Sequence, residues 1–535
     1  MVYDAIITGG GIAGLTAAAY LCKAGRSVVL CEKEEKLGGL VNSFDYKGFS
    51  FDGGIRAIEN SGIVLPMLRQ LGIDIDFIKN NVSIGIEKQV VNLVSDESLY
   101  DYQALLNSQF PQSSDDIEKI ILDIKRVMGY MDVLYGIDNP LFLDLKKDKQ
   151  YLYKTIMPWL FKYIFTIRKI QKLDTPIDEY LNKLTANKTL IDMIAQHFFK
   201  KTPAFFALSY FSLYLDYQYP RGGIGSIIDK LEKYIIDRGG EIRRKTQIKS
   251  VDPQKRQAAD TNGNIISYRK LIWAADLKTL YKIADADALA SKKTRQNILK
   301  QKNRISDKTG GDSVFTLYLT AGIDKSYFEN ICGAHFFYTP LKKGLINIDL
   351  DSLKTGQGHQ GTFTADKQTI IVWLDQFYEL TTYEISFPVM RDDRLAPPGK
   401  TGLIISTLFE YSLVKHIFDM GWYEEFKEAS AQKIISVLSS SIFPDLKTKV
   451  EESFSSTPLT LEKITGNSEG AITGWAFTKN NVPVVKNLPK VAHSVRTPFP
   501  DILQAGQWTF SPSGLPISIL TGKLAADSAE KKLKR

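Results

Sequence analysis

Glycines at a fixed spacing near the start of the chain are the residues that point most directly to a chemical task. Gly9, Gly11 and Gly14 have the G-x-G-x-x-G spacing. In such a motif the first glycine permits a tight turn, the second lets the backbone approach a pyrophosphate, and the third lets a helix pack closely on a strand. Glu32 follows, with a carboxylate that could accept from ribose hydroxyls and would repel a 2′-phosphate. These residues predict a dinucleotide site.

The elements around this motif are predicted in the order that such a site needs. Residues 3–8 have the apolar run of a short buried strand, and Ile12 to Lys23 are typical of a helix with small residues on one face. Residues 27–31 predict a second strand that ends at Glu32. The helix N-terminus would offer free N–H groups and a partial positive charge to the phosphates. Glycine spacing alone could be a chance turn, but the ordered βαβ unit favours the dinucleotide site.

Two further glycine pairs follow closely. Gly38-Gly39 and Gly53-Gly54 suggest backbone that packs against an extended, flat ligand, which favours FAD over NAD. The alternative from the residues alone is a pair of tight turns.

A candidate helix start near the C-terminus supplies a further part of the expected site. Ser513-Gly514-Leu515-Pro516 combines a plausible capping serine with a proline in the first turn. The positive end of this helix could face the flavin's pyrimidine edge and stabilise the charge of the reduced ring. A capped surface helix is the alternative.

Aromatic residues mark the expected substrate side. Each one is more often a packing residue than a ligand contact, yet together they favour an apolar substrate. Those within residues 205–219 are Phe205, Phe206, Tyr210, Phe211, Tyr214, Tyr217 and Tyr219.

The sequence contains no nucleophile–base motif and no metal-binding histidine pair, so no metal site is expected. The five histidines are scattered, and a structural role is the simpler interpretation for each. His335 is the most suggestive because three aromatic residues follow it. The chemistry is therefore expected to belong to a cofactor that the protein binds and orients.

Residues 158–173 predict an amphipathic helix. One face carries Lys162, Thr166, Lys169 and Lys172, and the other carries Leu160, Tyr163, Ile164, Ile167 and Ile170. Such a helix could lie in a membrane interface, or it could be a surface helix with a solvated basic face.

Ordered motifs along the whole chain resemble the phytoene desaturase, carotenoid isomerase and retinol saturase superfamily. They are Gly38-Gly39, Phe51-Asp52-Gly53-Gly54, Tyr219-Pro220-Arg221-Gly222-Gly223, Asp392 to Gly399, Thr457 to Gly474, and Gln504-Ala505-Gly506-Gln507-Trp508. The family often has an arginine after the Gly38-Gly39 pair, where this chain has Leu40. Any polar contact from that side chain is lost.

The resemblance implies FAD in an extended conformation and a set of residues around it. Those implied to bind the cofactor are Gly9, Gly11, Ile12, Ala13, Gly14, Glu32, Lys33, Gly38, Gly39, Leu40, Gly53, Gly54, Ile248, Ala275, Gly506, Gly514, Leu515 and Pro516. Those expected near the isoalloxazine are Arg56, Trp475, Phe477 and Trp508. Arg56 could bind a polar end of the substrate or the reduced flavin, or it could form a buried structural ion pair.

The expected fold class is α/β, with a Rossmann-type FAD-binding domain of the glutathione reductase kind, an inserted mixed-sheet substrate domain and a helical cap. Residues 313–319, 369–374 and 403–408 are predicted as strands of that mixed sheet. The FAD-binding domain is expected to consist of residues 1–75, 220–310 and 490–535, and the cap and substrate regions of residues 76–219 and 311–489.

Composition is ordinary for a globular enzyme, with 44% hydrophobic and 24% charged residues. The net charge of +8 comes with no nucleic-acid motif, so it favours solubility or attraction to an anionic membrane surface. Three cysteines form neither a disulfide framework nor a metal cluster. A cytoplasmic protein is expected, with peripheral contact to the inner face of the membrane through residues 158–173.

The function expected from these features is FAD-dependent addition or removal of hydrogen across a carbon–carbon bond of an isoprenoid or polyene lipid. Three alternatives stay open. They are a double-bond isomerase without net redox change, an amine-oxidase-like enzyme, and a lipid-binding protein that keeps FAD as a structural element. The electron donor or acceptor is not specified by the sequence.

Overall fold

The predicted βαβ unit opens the first of two large sheets. The computed structural model describes residues 2–144, 149–355, 362–477 and 482–534. Its strands are β1 (Val2–Thr8), β2 (Val28–Cys31), β3 (Ser43–Tyr46), β4 (Phe49–Asp52), β5 (Phe77–Lys79), β6 (Val82–Ile86), β7 (Gln89–Leu93), β8 (Gln218–Pro220), β9 (Glu241–Arg243), β10 (Ile248–Asp252), β11 (Gln257–Asp260), β12 (Ile265–Trp273), β13 (Ser313–Ala321), β14 (His335–Thr339), β15 (Lys354–Thr355), β16 (Thr362–Phe363), β17 (Tyr383–Ser386), β18 (Thr401–Phe409), β19 (Val450–Ser456) and β20 (Ile502–Gln504).

Helices cover both large sheets and form most of residues 98–216. They are α1 (Ile12–Lys23), α2 (Val64–Leu71), α3 (Ser98–Gln109), α4 (Ser114–Tyr135), α5 (Lys149–Tyr151), α6 (Met157–Ile170), α7 (Ile177–Leu181), α8 (Lys188–Ala195), α9 (Ala204–Asp216), α10 (Ser226–Ile236), α11 (Leu277–Ile283), α12 (Lys292–Ser306), α13 (Lys325–Glu329), α14 (Lys367–Leu380), α15 (Tyr411–Asp419), α16 (Tyr423–Ser441), α17 (Leu446–Lys449), α18 (Pro458–Thr465), α19 (Val491–Ser494) and α20 (Leu515–Leu533). Within the described residues, none of these helices is both long and apolar enough to cross a bilayer.

The first sheet has the order β10-β11-β12-β1-β2-β9, and β20 pairs with the far end of β12. Strands β9, β2, β1, β12 and β20 are parallel, while β10 and β11 form an antiparallel edge. Helix α1 is almost wholly buried because small residues let α20 pack on one side and the sheet on the other. This is the Rossmann-type α/β arrangement that the sequence predicts.

The second sheet is mixed, with the order β19-β13-β18-β17-β14-β6-β7. It is antiparallel except where β14 runs parallel to β6, so it joins strands from residues 82–93 to strands from residues 313–456. Side chains alternate along each strand. One face packs on α14 and α16, and the other face, which includes His335, Glu384 and Ser406, borders an internal cavity.

Two local predictions are wrong. Residues 369–374 belong to helix α14 rather than to a strand, since Asp366 accepts from the N–H of Thr369 at 2.8 Å and buried side chains recur at helical spacing. Helix α20 begins after Gly514, and the hydroxyl of Ser513 makes no capping hydrogen bond. Pro516 does lie in its first turn, as predicted.

Candidate functional site

A single elongated cavity of about 790 Å³ runs from the predicted dinucleotide motif of the first sheet to the inner face of the second sheet. That volume lies within the range of small-molecule and cofactor sites. Its wall is backbone and glycine at one end and mainly aromatic at the other. Because it is continuous, a ligand at the first end can be in contact with a ligand at the second.

The glycines of the first motif have two different surroundings. A Cβ on Gly14 would lie 2.0 Å from the carbonyl oxygen of Gly9, so this glycine is required for α1 to pack on the turn. Gly9 has φ +104° and a Cβ there would lie 2.5 Å from the carbonyl oxygen of Ala274. A Cβ on Gly11, in contrast, would meet nothing closer than 4.0 Å. Gly11 therefore borders free cavity, beside the unpaired first-turn N–H groups of α1.

The second and third glycine pairs continue the same wall. The N–H of Gly38 donates to the carbonyl of Gly10 at 2.9 Å, which brings the second pair beside the first motif. A Cβ on Gly54 would lie 2.1 Å from the carbonyl oxygen of Leu40. All four glycines of these pairs line the cavity, and so does Leu40. The pairs are therefore close backbone approaches along one surface rather than isolated turns.

Glu32 marks one end of the cavity. Its carboxylate accepts from the N–H of Gly10 at 2.6 Å and from the N–H of Glu34 at 2.9 Å, which fixes its orientation at the end of β2. Ile248 and Ala275 also line this end. Lys33 lines it as well, but its ammonium group already donates to the carbonyl of Lys463 at 2.6 Å.

The C-terminal helix closes the other side of this wall. The N–H of Gly506 donates to the hydroxyl of Thr521 in α20 at 2.9 Å. Residues of the sequence-predicted set that line the cavity are Gly9, Gly11, Ile12, Ala13, Glu32, Lys33, Gly38, Gly39, Leu40, Gly53, Gly54, Ile248, Ala275, Gly506, Gly514 and Leu515. Gly14 and Pro516 are not part of the wall. Gly14 allows α1 to pack on the preceding turn, and Pro516 lies in the first turn of α20.

The far end of the cavity is aromatic. Phe206, Tyr210 and Tyr217 from the predicted aromatic run line it, whereas Phe211 and Tyr214 pack in the helical core. Opposite them the second sheet contributes Phe337 and Tyr318. His197 lies in the same wall, and burial lowers its pKa to about 4, so it is neutral at physiological pH. This chamber suits an apolar ligand.

One buried charged group interrupts the apolar wall. Arg56 is 5% exposed and its guanidinium donates to Glu384 at 2.7 Å and to Ser406 at 2.5 Å. Nε2 of His335 lies 3.0 Å from the other carboxylate oxygen of Glu384. The Glu384 side chain is 34% exposed, toward the cavity.

The electrostatics of this group are set by Arg56. Although burial opposes ionisation, the Arg56 guanidinium, with His335, holds the pKa of Glu384 at about 2. Burial lowers the pKa of His335, so the imidazole is neutral. The cavity therefore contains an ionised carboxylate whose charge is balanced on its buried side. Arg56 is in an ion pair, which is one of the two roles predicted for it.

Glu384 and Glu59, which is a further carboxylate of the wall, are not among the residues predicted from the sequence. A glutamate among buried residues in the short strand Tyr383–Ser386 was a usable signal for Glu384. For Glu59 the only signal was its position three residues after Arg56.

Two aromatic residues expected beside the flavin lie elsewhere. Trp475 packs edge-on against Trp508 at 4.9 Å within the core of the first sheet, and its indole N–H donates to the carbonyl of Trp508 at 2.9 Å. Phe477 is half-buried and is also outside the described cavity wall. Trp508 does line the cavity, with its indole N–H bonded to Asn467 at 3.0 Å. Of the four residues predicted near the isoalloxazine, Arg56 and Trp508 thus border the cavity.

The residues present fit an extended dinucleotide cofactor. Gly11 leaves open the space that a side chain would fill, the N-terminus of α1 faces it, and Glu32 is held at the end of β2. In the described part of the chain, no group of three histidine, cysteine or acidic side chains is suited to a metal ion.

Comparison with known proteins agrees with this geometry. Residues 12–301, more than half of the chain, match the family of flavin containing amine oxidoreductases. The chain is 24% identical to the chloroplastic prolycopene isomerase of Daucus carota over 88% of this chain and 71% of that protein. It is 22% identical to a 4,4′-diapophytoene desaturase of Staphylococcus aureus (strain COL), over 99% of both chains.

A solved structure of putrescine oxidase superposes with a TM-score of 0.57 over the whole of both chains at 12% identity, which supports the fold. The relatives are a carotenoid isomerase and a desaturase, as the sequence motifs predict, and FAD is the cofactor that the family implies and the cavity fits. The chain is an FAD-dependent oxidoreductase and belongs to the flavin containing amine oxidoreductase family, on its phytoene desaturase and carotenoid isomerase side.

Proposed function

We propose that this protein transfers hydrogen across a carbon–carbon bond of an apolar isoprenoid or polyene at its FAD. The observation that carries the proposal is the continuity of the cavity, in which an aromatic chamber opens directly onto the glycine wall that fits the cofactor. The names of the relatives, a prolycopene isomerase and a 4,4′-diapophytoene desaturase, support a substrate of this class.

The residues of the chamber have separate tasks in this proposal. Phe206, Tyr210 and Phe337 hold the apolar chain and exclude water. When bound, FAD supplies the hydride-transfer chemistry. Loss of a hydride leaves positive charge on a conjugated chain, and the ionised Glu384 facing the cavity stabilises that charge. Arg56 keeps Glu384 ionised and fixes its orientation.

The test is an anaerobic incubation of the FAD-loaded protein with 4,4′-diapophytoene and with prolycopene in detergent, followed by mass spectrometry and flavin absorbance. With oxidised FAD, loss of two hydrogen atoms and reduction of the flavin is the expected result; with FAD first reduced by dithionite, gain of two hydrogen atoms and reoxidation of the flavin is the expected result. Altered double-bond geometry at unchanged mass would assign the isomerase alternative instead.

Amine oxidation is the other alternative that the experiment addresses. In the described cavity wall the lysines are Lys33 and Lys36, both beside Glu32 rather than in the aromatic chamber. Flavin reduction by putrescine but by neither polyene would overturn the proposal in favour of an amine oxidase. A flavin that no polyene or amine reduces or reoxidises would favour a lipid-binding role.

We further propose that α6 attaches the protein peripherally to a membrane from which the lipid is taken. The large apolar residues that α6 exposes are Met157, Leu160, Phe161, Ile164 and Phe165, and cationic Lys162, Arg168 and Lys169 are exposed beside them. A contiguous exposed apolar surface with neighbouring cations is typical of an interfacial helix.

The predicted faces of this helix need correction. Thr166, predicted on the same face as the lysines, is buried, whereas Leu160 and Ile164 of the predicted apolar face are exposed. Tyr163 and Ile167 pack on the helical core. The inward face is set by contact with α4, where the indole N–H of Trp159 bonds to the backbone carbonyl of Val133.

A further inference from the structure

Glu59 is a further carboxylate of the cavity wall, apart from the Arg56–Glu384 pair. Glu59 follows the Gly53–Arg56 segment, and it is half-buried and lines the cavity. A Cβ on Gly514 would lie 3.6 Å from its Oε1 atom. Gly514 directly precedes α20 and lines the cofactor part of the wall, so Glu59 stands where the cofactor and substrate parts meet.

The surroundings of Glu59 differ from those of Glu384. In the described residues, the pKa of its carboxylate is shifted by burial and by Asp216, and no hydrogen bond contributes to that shift. The ionisable groups whose charge interacts with it are Asp216, Tyr135, Tyr210 and Tyr217, and none of these is a cation. Asp216 itself accepts from the N–H of Asn60 at 2.9 Å.

This environment distinguishes the protonation of Glu59 from that of Glu384. Burial raises the pKa of Glu59 to about 7, and the neighbouring Asp216 adds to the shift. Glu384 stays ionised because of Arg56. Tyr210 and Tyr217 interact with the charges of both, so the two carboxylates border the same chamber. Environments that separate the pKa values of two carboxylates in one site assign them different roles.

We propose that Glu59 is the group that exchanges a proton with a substrate carbon during hydrogen transfer, a role that rests on the function proposed above. In dehydrogenation, one C–H bond gives its hydrogen and both electrons to FAD. The carboxylate of Glu59 takes the hydrogen of the adjacent carbon as a proton, and the electron pair of that bond becomes the new C=C bond. A quinone or dioxygen restores oxidised FAD after dehydrogenation.

The first test compares Glu59→Gln with the wild type on 4,4′-diapophytoene and prolycopene across a range of pH. General acid–base groups typically contribute about 10²–10⁴-fold to rate. We expect Glu59→Gln to slow conversion by a factor in that range and to abolish the pH dependence centred near 7, while FAD content is unchanged. The matched control is Glu118→Gln, an exposed glutamate on α4. Equal rates and pH profiles for wild type and Glu59→Gln would overturn the proposal.

The second test does not depend on turnover. Infrared spectra of the FAD-loaded protein without substrate, recorded against pH, should contain a buried carboxylic acid C=O band that titrates near neutral pH and is missing in Glu59→Gln. If the wild type converts neither polyene, the proposed function fails for those compounds, and the infrared titration still judges Glu59. Identical infrared titrations in both proteins would overturn the proton-exchange role.

Discussion

Gly11 and Gly14 belong to one motif, but a side chain would meet different surroundings at the two positions. A Cβ on Gly11 enters free cavity, whereas one on Gly14 would lie 2.0 Å from the carbonyl oxygen of Gly9. We therefore expect Gly11→Val to fold with an unchanged melting temperature in the FAD-free form but to be colourless. Gly14→Val should lower the melting temperature of the FAD-free form itself, because α1 must move away from the turn.

The comparison is made by flavin absorbance and by thermal unfolding of both variants. If purified Gly11→Val keeps a stoichiometric yellow flavin, the placement of the pyrophosphate beside Gly11 is wrong. If Gly14→Val unfolds like the wild type, the packing role assigned to Gly14 is wrong.

Arg56 is expected to control stability in a pH-dependent way. Replacing it with leucine leaves the partly buried Glu384 without its cation, and because Glu384 is 34% exposed the cost should fall below the roughly 3–5 kcal/mol typical of a fully buried pair. The pKa of Glu384 is lowered to about 2 in the folded protein. Its contribution to stability is therefore present above the unfolded value near 4.5 and is lost as pH falls through 2. The difference between Arg56→Leu and wild type should be largest at neutral pH and should shrink in acid.

Urea unfolding at several pH values measures this difference. Arg69→Leu is the control, because Arg69 pairs with Asp138 at the surface, where ion pairs contribute little. The double variant Arg56→Leu/Glu384→Gln should recover part of the lost stability. A pH-independent effect of Arg56→Leu would show that Arg56 acts by packing alone.

Helix α6 exposes large apolar side chains to solvent. Phe161 and Phe165 are 65% and 63% exposed, which is unusual for neighbouring phenylalanines on one helix face. We expect Phe161→Ser/Phe165→Ser to reduce binding to vesicles of phosphatidylcholine and phosphatidylglycerol by at least tenfold while the melting temperature is unchanged. Replacing both removes the apolar surface that an interfacial helix buries among the lipids.

Leu122→Ser on α4 serves as the matched control, since Leu122 is 58% exposed on a different helix face. Sedimentation of the vesicles with bound protein gives the measurement. Equal binding by wild type and the double variant would exclude α6 as the membrane contact.

Elements with strong local signals were predictable from the sequence. The βαβ unit follows from apolar runs and glycine spacing, and helix α1 has the predicted bounds Ile12–Lys23. Residues 369–374 show where local pattern fails, because β-branched and apolar residues favour a strand while capping by Asp366 and burial of one face produce a helix. The prediction of the two faces of α6 was wrong for a related reason, since packing on α4 decides which apolar residues of α6 are buried.

The site is assembled from segments that are distant in sequence. Arg56 and Glu384 are 328 residues apart in sequence. Glu384 lies in β17, whose position is fixed by pairing with β14 and β18 in the mixed sheet. Local periodicity contains no information about such pairing. Glycine spacing predicted the glycines of the first motif and of the two later pairs independently of the resemblance to a family, because glycine motifs are short ordered signals in the sequence. The resemblance gave no position for Glu384 or Glu59, whose roles depend on which charges surround them after folding.

Helix α1 and helix α20 meet at one close contact beside the part of the cavity wall that fits the cofactor. Gly522 of α20 packs against α1 so closely that a Cβ would lie 2.4 Å from the carbonyl oxygen of Ala13. Ala13 is part of this contact and lines the cavity, as does Gly506, where a Cβ would lie 3.4 Å from the Cβ of Ala13. A single methyl group at Gly522 must therefore push α20 away from α1 and increase the distance between the residues of these two helices that line the cavity. We expect Gly522→Ala to lower the melting temperature and to weaken FAD binding together.

The matched variant is Gly129→Ala, since Gly129 is also a helical glycine but a Cβ there meets nothing within 4 Å. Because alanine lowers the conformational entropy of the unfolded chain, Gly129→Ala should leave the free energy of unfolding unchanged or raise it by about 0.5–1 kcal/mol. FAD titrations and thermal unfolding of both variants separate the effect of the contact from that of the residue type. If Gly522→Ala bound FAD as tightly as Gly129→Ala, then the fit of α20 on α1 would not be what positions the C-terminal side of the cofactor site.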